Sequence, residues 1–347
     1  MKYSRIIVSK FGGPENLKLI QEEIPEPSAN EVRVKILAAG VSLADVLIRE
    51  GIHPESLFKR PPLCIGWDIV GVVDKIGDKA SRPSSWRIGD TVAALPIVGG
   101  YAEYLCLPSD HLVSVPYGLD PAEAVSVILN YTTAYQMLHR SAHIEPGESV
   151  LVHGGAGGVG TALLQLGKLQ GLEMYSTCSL RKQKIVSELG GIPIDYKSVD
   201  FVQEIFRLTD DGVDAVFDGI GTESLMRSYK TLRTGGRLIG YGFGSKSKDR
   251  PSRTGQIVSN LVNWIRLLAL NLIPNSRKVI PYSIQTLKRR KPEWFCEDLQ
   301  IVLNLLKQQK IMPIISTRLP LNQAAQAHEL LESGSVTGKI ILICNSM

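Results

Sequence analysis

His153-Gly154-Gly155-Ala156-Gly157-Gly158-Val159-Gly160 contains a GxGxxG pattern at Gly155, Gly157 and Gly160. Alone, such a pattern is weak. Here the apolar run Val150-Leu151-Val152-His153 precedes it and a helical pattern over 158–170 follows it. A strand, a glycine turn and a helix in that order form a dinucleotide-binding unit. One glycine allows the tight turn, one lets the backbone approach a pyrophosphate, and one lets helix and strand pack closely. The free N–H groups of the helix start then face the phosphates.

The alternation continues downstream. Met174–Cys178 predicts the next strand, 182–189 a helix and Ile192–Tyr196 an extended segment. Ala215-Val216-Phe217 and Leu238-Ile239-Gly240-Tyr241 predict two more apolar strands. Short apolar strands separated by helices predict a doubly wound parallel sheet covered on both faces. Upstream of Pro121 the texture differs. Val32-Arg33-Val34-Lys35-Ile36 alternates with period two, as a half-buried strand does, and Ile69–Val73 and Thr91–Leu95 are further short runs. Gly77-Asp78, Gly89-Asp90 and Gly99-Gly100 punctuate them as turns. Helices are expected over 122–140, 256–273 and 298–309, with a closing strand Lys339–Ile343.

The second strand of the nucleotide unit ends Ser176-Thr177-Cys178-Ser179-Leu180-Arg181-Lys182. An NAD-binding fold usually carries an acid there, against the ribose hydroxyls. This chain offers a hydroxyl and two cations instead, a set suited to a 2′-phosphate. NADP(H) is therefore expected over NAD(H), unless Arg181 and Lys182 merely begin a solvated helix.

The chain has 347 residues, 44% of them hydrophobic and 21% charged. That composition excludes a disordered chain, a fibrous repeat and a disulfide-stapled mini-protein, and the length suggests two domains. The five cysteines share no CxxC spacing, so reduced, mostly buried thiols in a cytosolic protein are expected. No long apolar stretch follows Met1–Arg5 and no run of 18 uncharged apolar residues exists, so neither a signal peptide nor a spanning helix is expected. The formal net charge is +5, yet residues 224–292 hold 15 Lys and Arg against one acid, Asp249. Such a split suggests either an anion-facing surface or cations that meet acids from elsewhere in the fold. No nucleic-acid-binding motif accompanies it, so nucleic acid is disfavoured.

Beyond the glycine loop, several motifs occur in a fixed order. They include Gly40-Val41-Ser42-Leu43-Ala44-Asp45, Gly66-Trp67-Asp68-Ile69-Val70-Gly71-Val72-Val73 and Arg87-Ile88-Gly89-Asp90-Thr91-Val92. Gly100-Tyr101-Ala102-Glu103-Tyr104, Asn130-Tyr131-Thr132-Thr133-Ala134-Tyr135, Gly235-Gly236-Arg237-Leu238 and Gly338-Lys339-Ile340 complete the set. In these motifs nearly the whole chain resembles the zinc-free, quinone oxidoreductase-like branch of the medium-chain dehydrogenase/reductase superfamily. Asn130-Tyr131 and the helix at 256–273 resemble its synaptic vesicle membrane protein subgroup. The resemblance implies a GroES-like catalytic domain, 1–121 and 286–347, interrupted by a Rossmann domain, 122–285, with the active site in the cleft between them. It implies hydride transfer from NADPH held on Gly155, Ala156, Gly157, Gly158, Val159 and Gly160. Thr133, Gly221, Tyr241 and Gly242 match positions at the nicotinamide end; Ser179, Lys182 and Tyr196 match the adenosine phosphate end. A homodimer paired through the strand near 279–284 is also implied.

The zinc-dependent relatives use a Cys where this chain has Ser42 and a His where it has Trp67. Catalytic zinc needs about three protein ligands, so no metal is expected. Without a Lewis acid, simple alcohol oxidation gives way to acceptors already polarised by conjugation: quinones and α,β-unsaturated carbonyls. The protein then supplies orientation, a dry pocket and a hydrogen-bond donor. Ser42, Tyr101 and Tyr131 are the candidate donors or pocket residues, with Asp45 positioning its neighbours.

The segment 256–273 has 12 apolar residues of 18, with Ile257, Leu261, Ile265, Leu268 and Leu272 on one face and basic residues on both flanks. That face is expected against the core or a second subunit; peripheral contact with an anionic membrane is the alternative. Two functions follow. One is an NADPH-dependent quinone or enone oxidoreductase. The other is a membrane- or lipid-associated nucleotide-binding protein of the same fold with little catalysis.

Overall fold

A period-two segment starts the architecture. In the computed structural model, which describes residues 1–57, 59–80, 86–242, 262, 264–274 and 276–344, Val32, Val34 and Ile36 are fully buried while Arg33 and Lys35 point the other way. In chain order come β1 (Lys2–Val8), β2 (Leu17–Glu23), β3 (Glu31–Val41), α1 (Leu43–Glu50), β4 (Leu63–Cys64), β5 (Ile69–Ile76), β6 (Thr91–Ala94), β7 (Tyr104–Pro108) and β8 (Val113–Ser114). Then α2 (Pro121–Gln136) leads into β9 (Ser149–His153), α3 (Gly158–Gln170), β10 (Glu173–Cys178), α4 (Gln183–Glu188), β11 (Ile192–Asp195), α5 (Phe201–Thr209), β12 (Val213–Asp218), α6 (Thr222–Lys230) and β13 (Leu232–Gly240). The chain continues through β14 (Lys278–Pro281), helices Ile284–Arg290 and Pro292–Lys307, β15 (Ile315–Pro320), helix Ala324–Glu332 and β16 (Lys339–Ile343).

The chain forms two compact units. The first comprises Met1–Thr132 and Lys291–Met347, the second Thr133–Arg290. The division falls inside α2, eleven residues past the expected boundary at 121/122.

The first unit carries a sheet in the order β15-β16-β3-β5-β6-β8, with β7 on β3, and a smaller sheet β2-β1-β4. β16 pairs antiparallel with β3, Ile340 opposite Val41, and so joins β15 to the strands from the start of the chain. α1 begins at a reciprocal cap: Ser42 and Asp45 each bond the other's backbone N–H. It ends on Gly51, whose φ of +78° suits a glycine.

The second unit is a six-stranded sheet ordered β11-β10-β9-β12-β13-β14, with every pairing parallel. That is the doubly wound arrangement, with β9 at the reversal of strand order. All six residues of β12 are buried, as expected for a strand covered on both faces. Leu151, Val216, Leu238, Phe201, Ile205 and Tyr229 form part of its core. Burying each such side chain stabilises by about 1.5–3 kcal/mol.

Three expected helices shift. The helix expected over 122–140 is α-helical to Gln136 and then widens into a π-type turn, Met137–Ser141. The one expected at 298–309 begins at Pro292, because proline serves well in the first turn. Of 256–273, residues 256–261 and 263 lie outside the described residues. Trp264–Ala269 is helical and Leu270–Leu272 is a tighter turn.

Where it can be seen, the expected apolar face does not pack on the core of its own unit. Ile265, Leu268 and Leu272 are 58%, 40% and 86% exposed, whereas Leu267 is fully buried, with Trp264 and Leu270 packed beside it on the sheet core. The reason lies at the end of β13. Gly240 has no side chain, and a Cβ there would stand 2.6 Å from Trp264, so the glycine makes the space the indole fills.

Part of the basic region meets acids from outside it. Arg227 pairs with Asp200 at 2.7 Å, Arg233 with Asp214, and Arg237 with Glu148. Lys246, Lys248, Arg250 and Arg253 lie outside the described residues. None of the five cysteines is in a disulfide, and no helix among the described residues is long and apolar enough to cross a membrane.

Candidate dinucleotide and substrate sites

The glycine loop joins β9 to α3 at the carboxyl ends of the parallel strands, where open α/β sheets take ligands. Gly154 has a φ of +69° and starts the turn. A Cβ at Gly155 would overlap Ser176 Oγ, and one at Gly160 would overlap Gly154 O. The loop backbone therefore lies as close to its neighbours as a glycine permits. The amides of Gly154 and Gly155 donate to Thr177 Oγ1 and Thr177 O at 3.2 and 3.1 Å. Gly157 caps α3 without a side-chain partner, which leaves the helix's first N–H groups free to meet an anion.

The two neighbouring strand ends complete this side. Ser179 precedes a tight turn, Leu180–Lys182, and Tyr196 N–H donates to Cys178 O at 3.4 Å. Lys182 is partly buried, and its ammonium is held below the usual lysine range by burial, with Cys178 opposing. Tyr196 is 54% exposed. The glycine loop, Ser179, Lys182 and Tyr196 thus gather at the ends of β9, β10 and β11.

Three of the other expected cofactor residues follow the ends of β12 and β13. Gly221 caps α6 at φ +105°. Tyr241 N–H donates to Asp218 O at 3.0 Å, and a Cβ at Gly242 would overlap Gly219 O. The Tyr241 hydroxyl is pushed up by burial, with Asp218 adding to the effect. Thr133 is buried in α2.

A buried chain of side chains underlies this surface and carries no motif of its own. Thr177 Oγ1 lies 3.0 Å from His153 Nδ1, and His153 Nε2 lies 2.9 Å from Ser228 Oγ. Ser228 donates to Asp218 Oδ2 at 2.7 Å, and Asp218 Oδ1 accepts from Ile220 N–H and Gly221 N–H. Since Gly154 N–H already donates to Thr177 Oγ1, every donor can point the same way, ending on the Asp218 carboxylate. That assigns His153 as neutral with its proton on Nε2. Burial keeps it neutral, against the pull of Asp218. The chain fixes the glycine loop to the strand end that holds Gly221 and Tyr241. Two polar residues ending apolar strands, His153 and Asp218, were its sequence signal.

In the first unit, Ser42 is partly exposed and Asp45 is fully buried. Asp45 Oδ2 accepts from Ser42 N–H at 2.9 Å and lies 2.6 Å from Ser42 Oγ; Oδ1 accepts from Gly66 N–H at 3.0 Å. Burial pushes the Asp45 carboxyl up to about 7, opposed by its bonds to Ser42 and helped by the nearby Asp68 carboxylate. Asp68, also fully buried, pairs with Lys339. Tyr101 is fully buried, with its hydroxyl 3.2 Å from His328 Nε2. Burial raises that phenol well above its ordinary range and lowers His328 to about 3. Arg49, with no exposed surface, pairs with Glu332 at 3.0 Å. Tyr131 is buried in α2. Ser42, Asp45 and Tyr101 therefore belong to one buried polar cluster, to which sequence reasoning did not assign Asp68, Lys339 and His328.

A parallel Rossmann sheet with a built glycine cradle, and a separate sheet in which a strand from the end of the chain pairs with one from its start, define a dinucleotide-dependent oxidoreductase of the medium-chain type. The model "Alcohol dehydrogenase GroES-like domain" matches residues 28–117 and "Zinc-binding dehydrogenase" matches 191–342. Human quinone oxidoreductase is 31% identical over 345 residues, covering 97% of this chain and 96% of that one. The zebrafish (Danio rerio) synaptic vesicle membrane protein VAT-1 homolog is 29% identical over 349 residues, covering 99% and 71%. The crystal structure of Escherichia coli quinone oxidoreductase complexed with NADPH superposes with a TM-score of 0.84 at 26% identity, covering 98% and 99%. The chain belongs to the zinc-free, quinone oxidoreductase-like branch of the medium-chain dehydrogenase/reductase superfamily.

One matching model carries zinc in its description, and the residues do not fit that metal. Ser42 and Trp67 replace the expected Cys and His ligands. Among the described residues no group of three or more His, Cys, Asp or Glu could hold a metal ion. No step below runs through zinc.

Proposed function

We propose that the protein is an NADPH-dependent oxidoreductase that reduces quinones or α,β-unsaturated carbonyl compounds. The observation that carries this reading is the pairing of the glycine cradle with an acid-free strand end. Gly155, Gly157 and Gly160 leave room for a pyrophosphate, and the N–H groups at the start of α3 receive it. Ser179, Arg181, Lys182 and Tyr196 offer hydroxyls and cations where an NAD-specific site offers a carboxylate. Lys182, partly desolvated, is a strong partner for a doubly charged phosphate. When bound, NADPH supplies the hydride. The family membership and the NADPH complex of the Escherichia coli relative support the same cofactor.

The chain's own residues then bind, orient and protonate. An acceptor conjugated to its carbonyl needs no Lewis acid, so Ser42 serves as a hydrogen-bond donor to the oxygen that gains charge. The Tyr101 phenol stays neutral across the working range, because burial raises it, and packs beside Asp45. The test is NADPH consumption against a panel of an ortho-quinone, a para-quinone, an alkenal and a cyclic enone, with NADH as control. Turnover with NADPH, at least about tenfold more efficient than with NADH, is expected; a factor of ten corresponds to about 1.4 kcal/mol. Preference for NADH would sink the cofactor assignment.

The exposed Ile265, Leu268 and Leu272, together with a synaptic vesicle membrane protein among the relatives, favour a second reading: a lipid-associated member of the fold with little catalysis. Tight NADPH binding with no turnover on the whole panel would favour it.

A further inference from the structure

Hydride delivery to a quinone or enone leaves an oxyanion that must take up one proton. We propose that Asp45 holds that proton and delivers it through the Ser42 hydroxyl. This rests on the oxidoreductase reading above and names the residues that complete its reaction.

The hydrogen-bond geometry carries the inference. Ser42 Oγ has two neighbours on the same residue: Asp45 N–H at 3.3 Å and Asp45 Oδ2 at 2.6 Å. With Asp45 ionised, the Ser42 hydroxyl must donate inward to the carboxylate, and no O–H is left for a substrate. With Asp45 protonated, the carboxyl O–H donates to Ser42 Oγ instead. Both Ser42 acceptor sites are then filled, by the Asp45 N–H and O–H, and its own O–H turns outward. The protonation state of a fully buried acid thus sets the direction of a partly exposed donor. An ordinary helix cap needs only the ionised form.

The surroundings hold Asp45 where this switch can operate. Ser42, the Gly66 N–H, Asp68, Lys339 and Tyr101 are the polar groups that act on it. Asp68 favours the protonated form, as does burial; Lys339 and the bonds from Ser42 oppose. Because Lys339 and Asp68 are paired with each other, their opposite effects on Asp45 offset one another in part, and burial is the largest influence. The balance leaves the carboxyl poised near neutral pH.

The step balances. Two electrons and one hydrogen reach the acceptor as hydride. The Asp45 O–H bond breaks as its proton forms a bond to Ser42 Oγ, and the Ser42 O–H bond breaks as the substrate O–H bond forms. Asp45 remains as a carboxylate. One proton from solvent, returning through Ser42 after product leaves, restores it.

The test is the pH profile of kcat/KM with NADPH and the best acceptor, measured for the wild type, Asp45→Asn and Ser42→Ala. The wild type is expected to fall about tenfold per pH unit above the Asp45 ionisation. Asp45→Asn should lose about a hundredfold in kcat, the usual size of a general-acid contribution, and its profile should lose that limb. Ser42→Ala should lose a similar factor. NADPH affinity by fluorescence and melting temperature verify that both variants fold. Infrared titration supplies a readout without turnover: a protonated-carboxyl band that disappears near neutral pH in wild type and Ser42→Ala, and is missing in Asp45→Asn. A purely capping Asp45 would lower the melting temperature but keep the alkaline limb, and would show no such band. A flat wild-type profile, or a limb that survives in Asp45→Asn, overturns the proposal while leaving the oxidoreductase reading intact. A wild type with no turnover overturns that reading and the donor role together.

Discussion

Gly155 has no room for a methyl group. Its Cβ would overlap the Ser176 hydroxyl, which is itself held to Val152 O at 3.0 Å. Gly155→Ala is expected to push the loop off β10, weaken NADPH at least tenfold and destabilise the protein by about 1–3 kcal/mol, the range for overpacking. Gly147 makes the control. It sits at φ +85° with nothing within 4 Å of its Cβ, so Gly147→Ala should cost about 1 kcal/mol of left-handed backbone strain and leave cofactor affinity unchanged. Fluorescence titration and thermal melting measure both, and equal NADPH affinities would refute the cradle. The glycines were legible because spacing along the chain reports a turn. Their anchor was not. Thr177, Ser228 and Asp218 reach His153 from three other elements, with Ser228 lying 75 residues from it, and no local pattern marks such a meeting.

Elements were read well where their pattern was internal to them. β3 alternates, β12 is apolar throughout, and β16 was located residue for residue as Lys339–Ile343. In the helix at 264–269 spacing did not single out Leu267 and Trp264 as the side chains that meet the core, since it ranks apolar residues alike and cannot register that Gly240 on another element makes a slot for Trp264. The pairing of Lys339 with Asp68 belongs to this scale, because it ties the start of β16 to the segment leading into β5. Lys339→Met would leave a carboxylate unpaired in the interior. A loss of about 3–5 kcal/mol in urea denaturation is expected, with much of it recovered when Asp68→Asn is added. A single-variant loss below about 1 kcal/mol would show the pair to be dispensable.

For the whole molecule, buried histidines set the response to acid. His328 is lowered to about 3 and His53 to about 4, each mainly by burial. Both values lie below that of an exposed histidine, so the unfolded chain binds protons the folded one refuses. Their contribution to stability is therefore complete above about pH 6.5 and declines as pH falls toward about 4. Asp45 works in the opposite direction: raised to about 7, it makes the fold lose stability as pH rises from about 4 to about 7. His328→Gln removes one acid-sensitive group while offering Tyr101 a replacement acceptor. Its urea midpoint should vary less between pH 6.5 and pH 4 than the wild type's, and an unchanged slope would sink the assignment.

What the sequence determined by itself was periodic and local: the two textures, the parallel unit with its glycine turn, and the absence of an acid after the second strand. Each can be read in one window, because turn geometry, alternation and residue chemistry act over a few neighbours. Only the tertiary structure decided which polar groups share the interior. The joining of Asp45 with Gly66, of Asp68 with Lys339, and of Tyr101 with His328 depends on strands and helices distant in sequence. Removing those groups from water is what moves a carboxyl toward neutrality and holds a histidine uncharged, and water is excluded by the fold as a whole, not by any one segment.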